Sequence, residues 1–212
     1  MSLAAYRHLF QPGTNSAAPP LLLLHGTGGT EQDLLPLADR LSPGSARLAP
    51  LGDVSENGAR RFFRRLAEGV FDLDDVRRRT HALADFVAAA AQSYGFDATR
   101  LVAVGYSNGA NIGATLLQLR PEVLGGALLF RAMVVLEVTP SAGALRGRRV
   151  LLANGSHDRV VGPDHPPRLA ALLRAGGADV TLQISTADHG LVPEDFAAAS
   201  RWLAAPGGAP GR

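Results

Sequence analysis

The chain has 212 residues, 46% of them hydrophobic, enough for one globular core, and it has no cysteine, so disulfides and thiolate metal sites are excluded. Its 21 basic residues are all arginine and meet 19 acidic ones, leaving a formal charge of +2 although the sequence pI is about 9.6. That near-balance is not a nucleic-acid footprint, and the absence of lysine excludes Schiff-base chemistry.

In chain order, His8 falls in a first strand and reads as a packing or surface residue. Leu21-Leu22-Leu23-Leu24 is a continuous apolar run, the pattern of a central parallel strand covered on both faces. It runs into His25-Gly26-Thr27-Gly28-Gly29-Thr30. This loop is not a phosphate cradle, because the third glycine of the dinucleotide fingerprint is missing and no lysine follows. It can instead offer the Thr27 backbone N–H to a developing oxyanion. Thr30, with Asp33 three residues on, predicts the start of a helix that buries Leu34, Leu37 and Leu41. Residues 51–71 read as one long irregular segment. Its Phe62-Phe63 pair, inside Arg61-Phe62-Phe63-Arg64, is the candidate wall of a substrate pocket, against the alternative that both rings are core. The stripe Leu73, Val76, Thr80, Leu83, Val87, Ala90, Tyr94 steps by three and four and predicts a long helix facing a sheet. His81 lies mid-helix. The arginines at 60–61, 64–65 and 77–79 have Asp72, Asp74 and Asp75 among them, so they are read as an ion-paired face.

Leu101-Val102-Ala103-Val104 predicts a second buried strand and leads into Gly105-Tyr106-Ser107-Asn108-Gly109. Strand, sharp turn and helix in that order lift one serine hydroxyl above the sheet edge, and the flanking glycines let strand and helix approach closely. Ser107 is therefore the candidate nucleophile and the Asn108 N–H the second oxyanion donor. Pro121 ends the helix after the turn. A strand over 128–130 follows, and only about 20 residues separate it from the next strand over 150–152, too few for a folded cap. Asp158 lies just past that strand on a turn containing Gly155, where a carboxylate can reach across the sheet top; it is the candidate acid. Glu137 is its rival, and Asp188 a weaker one because adjacency to His189 makes a side-chain bond awkward. His157 should point away from Asp158, and His165, before Pro166-Pro167, reads as a helix start. The alternation of Val180, Leu182 and Ile184 predicts a strand near the sheet edge. His189, on the following loop beside Gly190, is the candidate general base. Val160, Val161 and Leu191 flank the acid and base and are the remaining candidates for the pocket wall.

The motifs His25-Gly26-Thr27-Gly28-Gly29, Gly105-Tyr106-Ser107-Asn108-Gly109, Gly155-Ser156-His157-Asp158 and Asp188-His189-Gly190, in that order over residues 20–200, resemble the phospholipase/carboxylesterase group of the α/β-hydrolase superfamily, near the acyl-protein thioesterases and dienelactone hydrolases. The resemblance implies an α/β fold, a single domain with a mostly parallel sheet, helices on both faces and no cap, over residues 1–203, and the composition of 204–212, with three glycines and two prolines, predicts a disordered tail. The resemblance also implies a Ser107–Asp158–His189 triad, no cofactor or metal, and hydrolysis of carboxylic esters or thioesters. Asn108 stands where glutamine usually follows the serine, a change expected at the pocket's edge. Without a cysteine the chain cannot run the thiol version of dienelactone hydrolysis. Esterase, thioesterase and lysophospholipase readings stay open, as does a receptor that keeps the triad without turnover. The expected partner is a small ester, with no nucleic acid and no membrane span; no run reaches about 18 apolar residues and the N-terminus lacks a basic region followed by an apolar core. A cytoplasmic location is expected, and a homodimer is left open.

Overall fold

The computed structural model describes residues 3–205. Seven strands form one sheet, lying side by side as the first, third, second, eighth, ninth, tenth and eleventh strands of the chain. These are β1 (His8–Gln11), β2 (Leu21–Leu24), β3 (Arg47–Pro50), β8 (Val102–Tyr106), β9 (Gly126–Phe130), β10 (Arg149–Gly155) and β11 (Asp179–Ser185). Only β1 runs antiparallel, against β3; every other neighbouring pair is parallel. The helices are α1 (Leu35–Leu41), α2 (Leu73–Tyr94), α3 (Asn108–Leu119), α4 (His165–Ala175) and α5 (Pro193–Ala204).

Side chains of each central strand alternate between two separate cores. Leu22, Leu24, Ala103, Leu129 and Leu152 pack with α2, α3 and α4, whereas Leu21, Leu23, Val104, Leu128 and Leu151 pack with α1 and α5. Burial on both faces is why these strands are unbroken apolar runs. The α2 stripe holds as expected except at Leu73, which is exposed; Asp72 caps the helix by accepting from the Asp75 N–H, and Gly95, in the left-handed region, ends it. α1 starts later than predicted. Thr30 bonds Asp33 in a turn, and regular helix begins at Leu35 with Pro36 in its first turn, although Leu34, Leu37 and Leu41 are buried as anticipated.

Two expectations are corrected. Residues 51–71 are not irregular: they form two hairpins, β4 (Val54–Glu56) with β5 (Ala59–Arg61) and β6 (Arg65–Ala67) with β7 (Val70–Phe71). The first turns at Asn57-Gly58, both at positive φ as a two-residue hairpin turn requires. β11 is an edge strand as read, but its outer end is wet and Ile184 is half exposed. Helix α5 runs to Ala204, where the expected tail begins; residues 206–212 of that tail lie outside the described residues. The arginine face is ion-paired as expected: Arg64 meets Asp72, Arg65 meets Glu56, Arg78 meets Asp75, and Arg79 meets Asp53 and Asp75. Among the described residues no helix is long and apolar enough to cross a membrane.

Candidate active site

The site lies at the C-terminal ends of β8, β9 and β10, where parallel strands leave backbone and loops free to converge. Ser107 sits between β8 and α3 at φ 52°, ψ −115°, a sparsely populated conformation for a residue with a β-carbon, worth about 1–3 kcal/mol of strain. Two hydrogen bonds hold it there: its N–H donates to Phe130 O at 2.9 Å and its carbonyl accepts from Asn111 N–H at 2.9 Å. The flanking glycines are sterically required. A β-carbon at Gly109 would lie 1.9 Å from Leu24 O, and one at Gly105 would lie 2.7 Å from the Ala110 backbone.

His189 Nε2 is 2.9 Å from Ser107 Oγ, and His189 Nδ1 is 2.8 Å from Asp158 Oδ2. An ionised carboxylate only accepts, so Nδ1 carries the proton and Nε2 presents its lone pair to the serine hydroxyl. The Asp158 side chain is fully buried, and its other oxygen accepts from the Val160 and Val161 N–H groups at 2.8 and 3.0 Å. Those backbone bonds fix the carboxylate's aim. The rival Glu137 is exposed and paired with Arg168, away from the imidazole, and Asp188 accepts instead from the Gly190 N–H. Of the other histidines, His8 bonds Tyr6 O and the Tyr94 hydroxyl, His165 accepts from the Val134 N–H at the start of α4, and His81 and His157 are exposed.

The loop after β2 is set by His25. The Gly52 N–H can only donate, so Nε2, at 2.9 Å, accepts, and Nδ1–H donates to Gly26 O at 2.7 Å. Burial pushes the His25 pKa below its ordinary value, opposed by the Gly26 carbonyl and by Asp33 and Glu31, which keeps this tautomer neutral. Hairpin strand β5 then latches the loop to the elbow. Gly28 N–H donates to Arg60 O, Arg61 Nη1 to Thr27 Oγ1 at 2.7 Å, and Phe62 N–H to Asn108 Oδ1 at 2.7 Å. Asn108 thus anchors the hairpin with its side chain. Among the described residues the Thr27 and Asn108 N–H groups have no internal partner.

Above these groups is a cavity of about 290 Å³ lined by Thr27, Tyr106, Ser107, Asn108 and His189, with Phe71, Met133, Val160 and Val161 as its apolar wall and Arg61, Arg65 and Glu68 at the hairpin side. The assignment of Phe62 and Phe63 to the wall is therefore corrected. Both are essentially fully buried in the α2-side core, turned inward by β5 and the strand exit. Leu191 is likewise not lining; it packs against the α5-side core. Phe71 takes the place expected of Phe63, against whose ring it stands edge-on at 5.4 Å.

Two residues that sequence reasoning passed over complete the site. The Tyr106 hydroxyl donates to His189 O at 2.9 Å; burial above all raises its pKa, with Asp158 and Asp188 adding to the rise and Arg131 opposing it, so it stays a donor. Arg131, fully buried beside Asp195, reaches under the histidine loop. Its signal was present: it is one charge inside the apolar stretch from Ala127 to Leu136, and a charge so placed must be paired. Asp195, in the first turn of α5, was hidden because acids there are ordinary partners of the helix dipole.

A mostly parallel sheet with a serine on a strained turn at its middle strand, and a histidine and a carboxylate delivered from later strand ends, is the architecture of an α/β-hydrolase. No protein-family model matches the chain. It is 39% identical over 196 residues to Putative hydrolase MhqD of Bacillus subtilis (strain 168), covering 92% of this chain and 96% of that one. The crystal structure of the Bacillus cereus carboxylesterase superposes with a TM-score of 0.90 at 42% identity over 93% of each chain. A carboxylesterase from Mesorhizobium loti does so with a TM-score of 0.88 at 33% identity, over 95% of this chain and 96% of that one. The chain belongs to the carboxylesterase group of the α/β-hydrolases, and it is an enzyme.

Proposed function

We propose that the protein is a serine carboxylesterase that cleaves small or short-acyl esters through an acyl-enzyme. The observation carrying this reading is the continuous line from Ser107 Oγ through the His189 imidazole to Asp158, 2.9 and 2.8 Å long, at the floor of a cavity. In the first half-reaction His189 Nε2 takes the hydroxyl proton as Ser107 attacks the ester carbonyl. Asp158 holds the tautomer and stabilises the imidazolium. The Thr27 and Asn108 N–H groups, without an internal partner and on two residues that line the same cavity, are the donors for the oxyanion. Collapse of the tetrahedral species returns the proton from His189 to the leaving alcohol; water then attacks the acyl-serine with His189 again as base. Short acyl groups fit the cavity of about 290 Å³ over Ser107, which Phe71, Met133 and Val161 bound on its apolar side.

Ser107→Ala should leave thermal unfolding unchanged and reduce turnover of p-nitrophenyl butyrate by roughly 10³-fold or more. A fluorophosphonate should label the wild type at Ser107 and the variant not at all. Retention of more than about a tenth of the wild-type rate removes Ser107 as nucleophile. Rates measured from acetate to palmitate read the acyl preference directly.

A further inference from the structure

We propose that Arg131 is a positioning residue for the general base: its guanidinium, backed by Asp195, grips the histidine loop on both sides of His189 and sets the imidazole between Ser107 and Asp158. The inference rests on the reading of Ser107, His189 and Asp158 as the catalytic groups.

Three consecutive carbonyls of the loop are held by side chains. Asp188 O accepts from Arg131 Nε at 3.2 Å, His189 O from the Tyr106 hydroxyl at 2.9 Å, and Gly190 O from Arg131 Nη2. The planar guanidinium presents these donors in a fixed fork, so two of them fix the spacing and tilt of the peptide units that flank the imidazole. The group cannot swing away, because Nη2 also meets Asp195 Oδ2 at 2.6 Å, and Nη1 meets Asp195 Oδ1 at 3.3 Å and Ala153 O at 3.0 Å. Asp195 is itself oriented by the Ser185 hydroxyl and by the Val192 N–H, at the two ends of the same loop.

The clamp shares a corner with the nucleophile. Phe130 O anchors the Ser107 N–H, and the next residue is Arg131, whose own N–H donates to Ala153 O on β10 at 2.8 Å. Serine, histidine and the strand that delivers Asp158 are thus registered to two adjacent residues. Arg131 stands at φ 57°, a left-handed conformation unusual for a residue with a long side chain. A strained backbone retained under a fully buried ion pair is the pattern of a geometry held for use.

A buried pair that served stability alone could be replaced by apolar residues of similar volume. Positioning cannot be replaced that way, and this separates the two roles. The double substitution Arg131→Met, Asp195→Leu should still fold, at a lower unfolding temperature because the Ala153, Asp188 and Gly190 carbonyls lose a donor, and should lower kcat for p-nitrophenyl butyrate roughly 10²-fold with little change in KM, as expected of a base displaced by about 1 Å. Arg131→Lys, which keeps the charge and loses the fork, should fall between it and the wild type. In proton NMR the downfield His189 Nδ1–H resonance should broaden in both variants, because a loosened loop exposes the His189–Asp158 bond to water. A stable double variant with kcat within about threefold of wild type and an unaltered Nδ1–H signal would overturn the proposal. So would failure of both variants to fold, which would make the pair a requirement of the fold. The resonance reports the His189–Asp158 geometry whether or not an ester is turned over, and Ser107→Ala tests the nucleophile, so failure of the catalytic reading and failure of the clamp are told apart.

Discussion

At Asp158, rather than Glu137, the chain places a carboxylate that is fully buried, aimed by two backbone N–H groups and bonded to the imidazole. Asp158→Asn should therefore cost on the order of 10²–10⁴-fold in kcat by permitting the wrong tautomer of His189, whereas Glu137→Gln should change little; steady-state rates of the two variants decide the order. His25 carries a different prediction. Folding keeps it neutral, so its pKa lies below the roughly 6.5 of the unfolded chain. As pH falls below that value the unfolded state takes up a proton that the folded state refuses, and stability is lost progressively until the folded pKa is passed. Urea midpoints measured from pH 7.5 down to 5 should fall more steeply for wild type than for His25→Gln; equal slopes would remove His25 as the cause. The candidate nucleophile, acid and base, Ser107, Asp158 and His189, were legible because their spacing follows strand ends. Tyr106 was not, because its hydroxyl acts on a backbone carbonyl far away in sequence, and Arg131 showed only as a charge inside an apolar stretch, which calls for a partner without naming it.

Among the elements, the elbow is the least tolerant. Gly109→Ala should destabilise the protein by on the order of 3 kcal/mol or more, since the new carbon would meet the Leu24 carbonyl at 1.9 Å and neither strand nor helix can retreat. Gly58→Ala meets nothing within 4 Å and should cost only the roughly 1–2 kcal/mol of its positive φ. Chemical denaturation of the two variants gives the comparison. The central strands and α2 were readable from apolar runs and a three-four stripe. Strand β3 was not, because Arg47-Leu48-Ala49-Pro50 mixes a charge and a proline into a strand whose four residues are all buried; Arg47 is accommodated by pairing with Asp39 at 2.6 Å. The first hairpin announced itself at Asn57-Gly58, but its strands lack alternating apolar residues, so the turn signal stood without flanking support.

For the whole molecule, the cavity is the meeting of two parts: strand ends and loops that carry Ser107, Asp158 and His189, and the paired hairpins beside them. Phe71→Ala should shift preference toward longer acyl chains by roughly fourfold in kcat/KM for each methylene that gains a dry contact, about 0.8 kcal/mol. Phe62→Ala should instead cost stability, about 3–5 kcal/mol, and leave the chain-length profile alone. An ester series on both variants, beside their unfolding curves, checks the division. The same hairpins also hold the loop and turn that carry Thr27 and Asn108, through Arg60 O, the Arg61 guanidinium and the Phe62 N–H. Breadth of diet and speed are therefore not separate dials in this enzyme. If the Thr27 and Asn108 N–H groups steady the oxyanion as proposed, a lineage that rewrites residues 51–71 to admit a new ester also moves those donors, so new specificity would first arise in slow variants and regain pace only through later changes at Thr27, Asn108 or their partners.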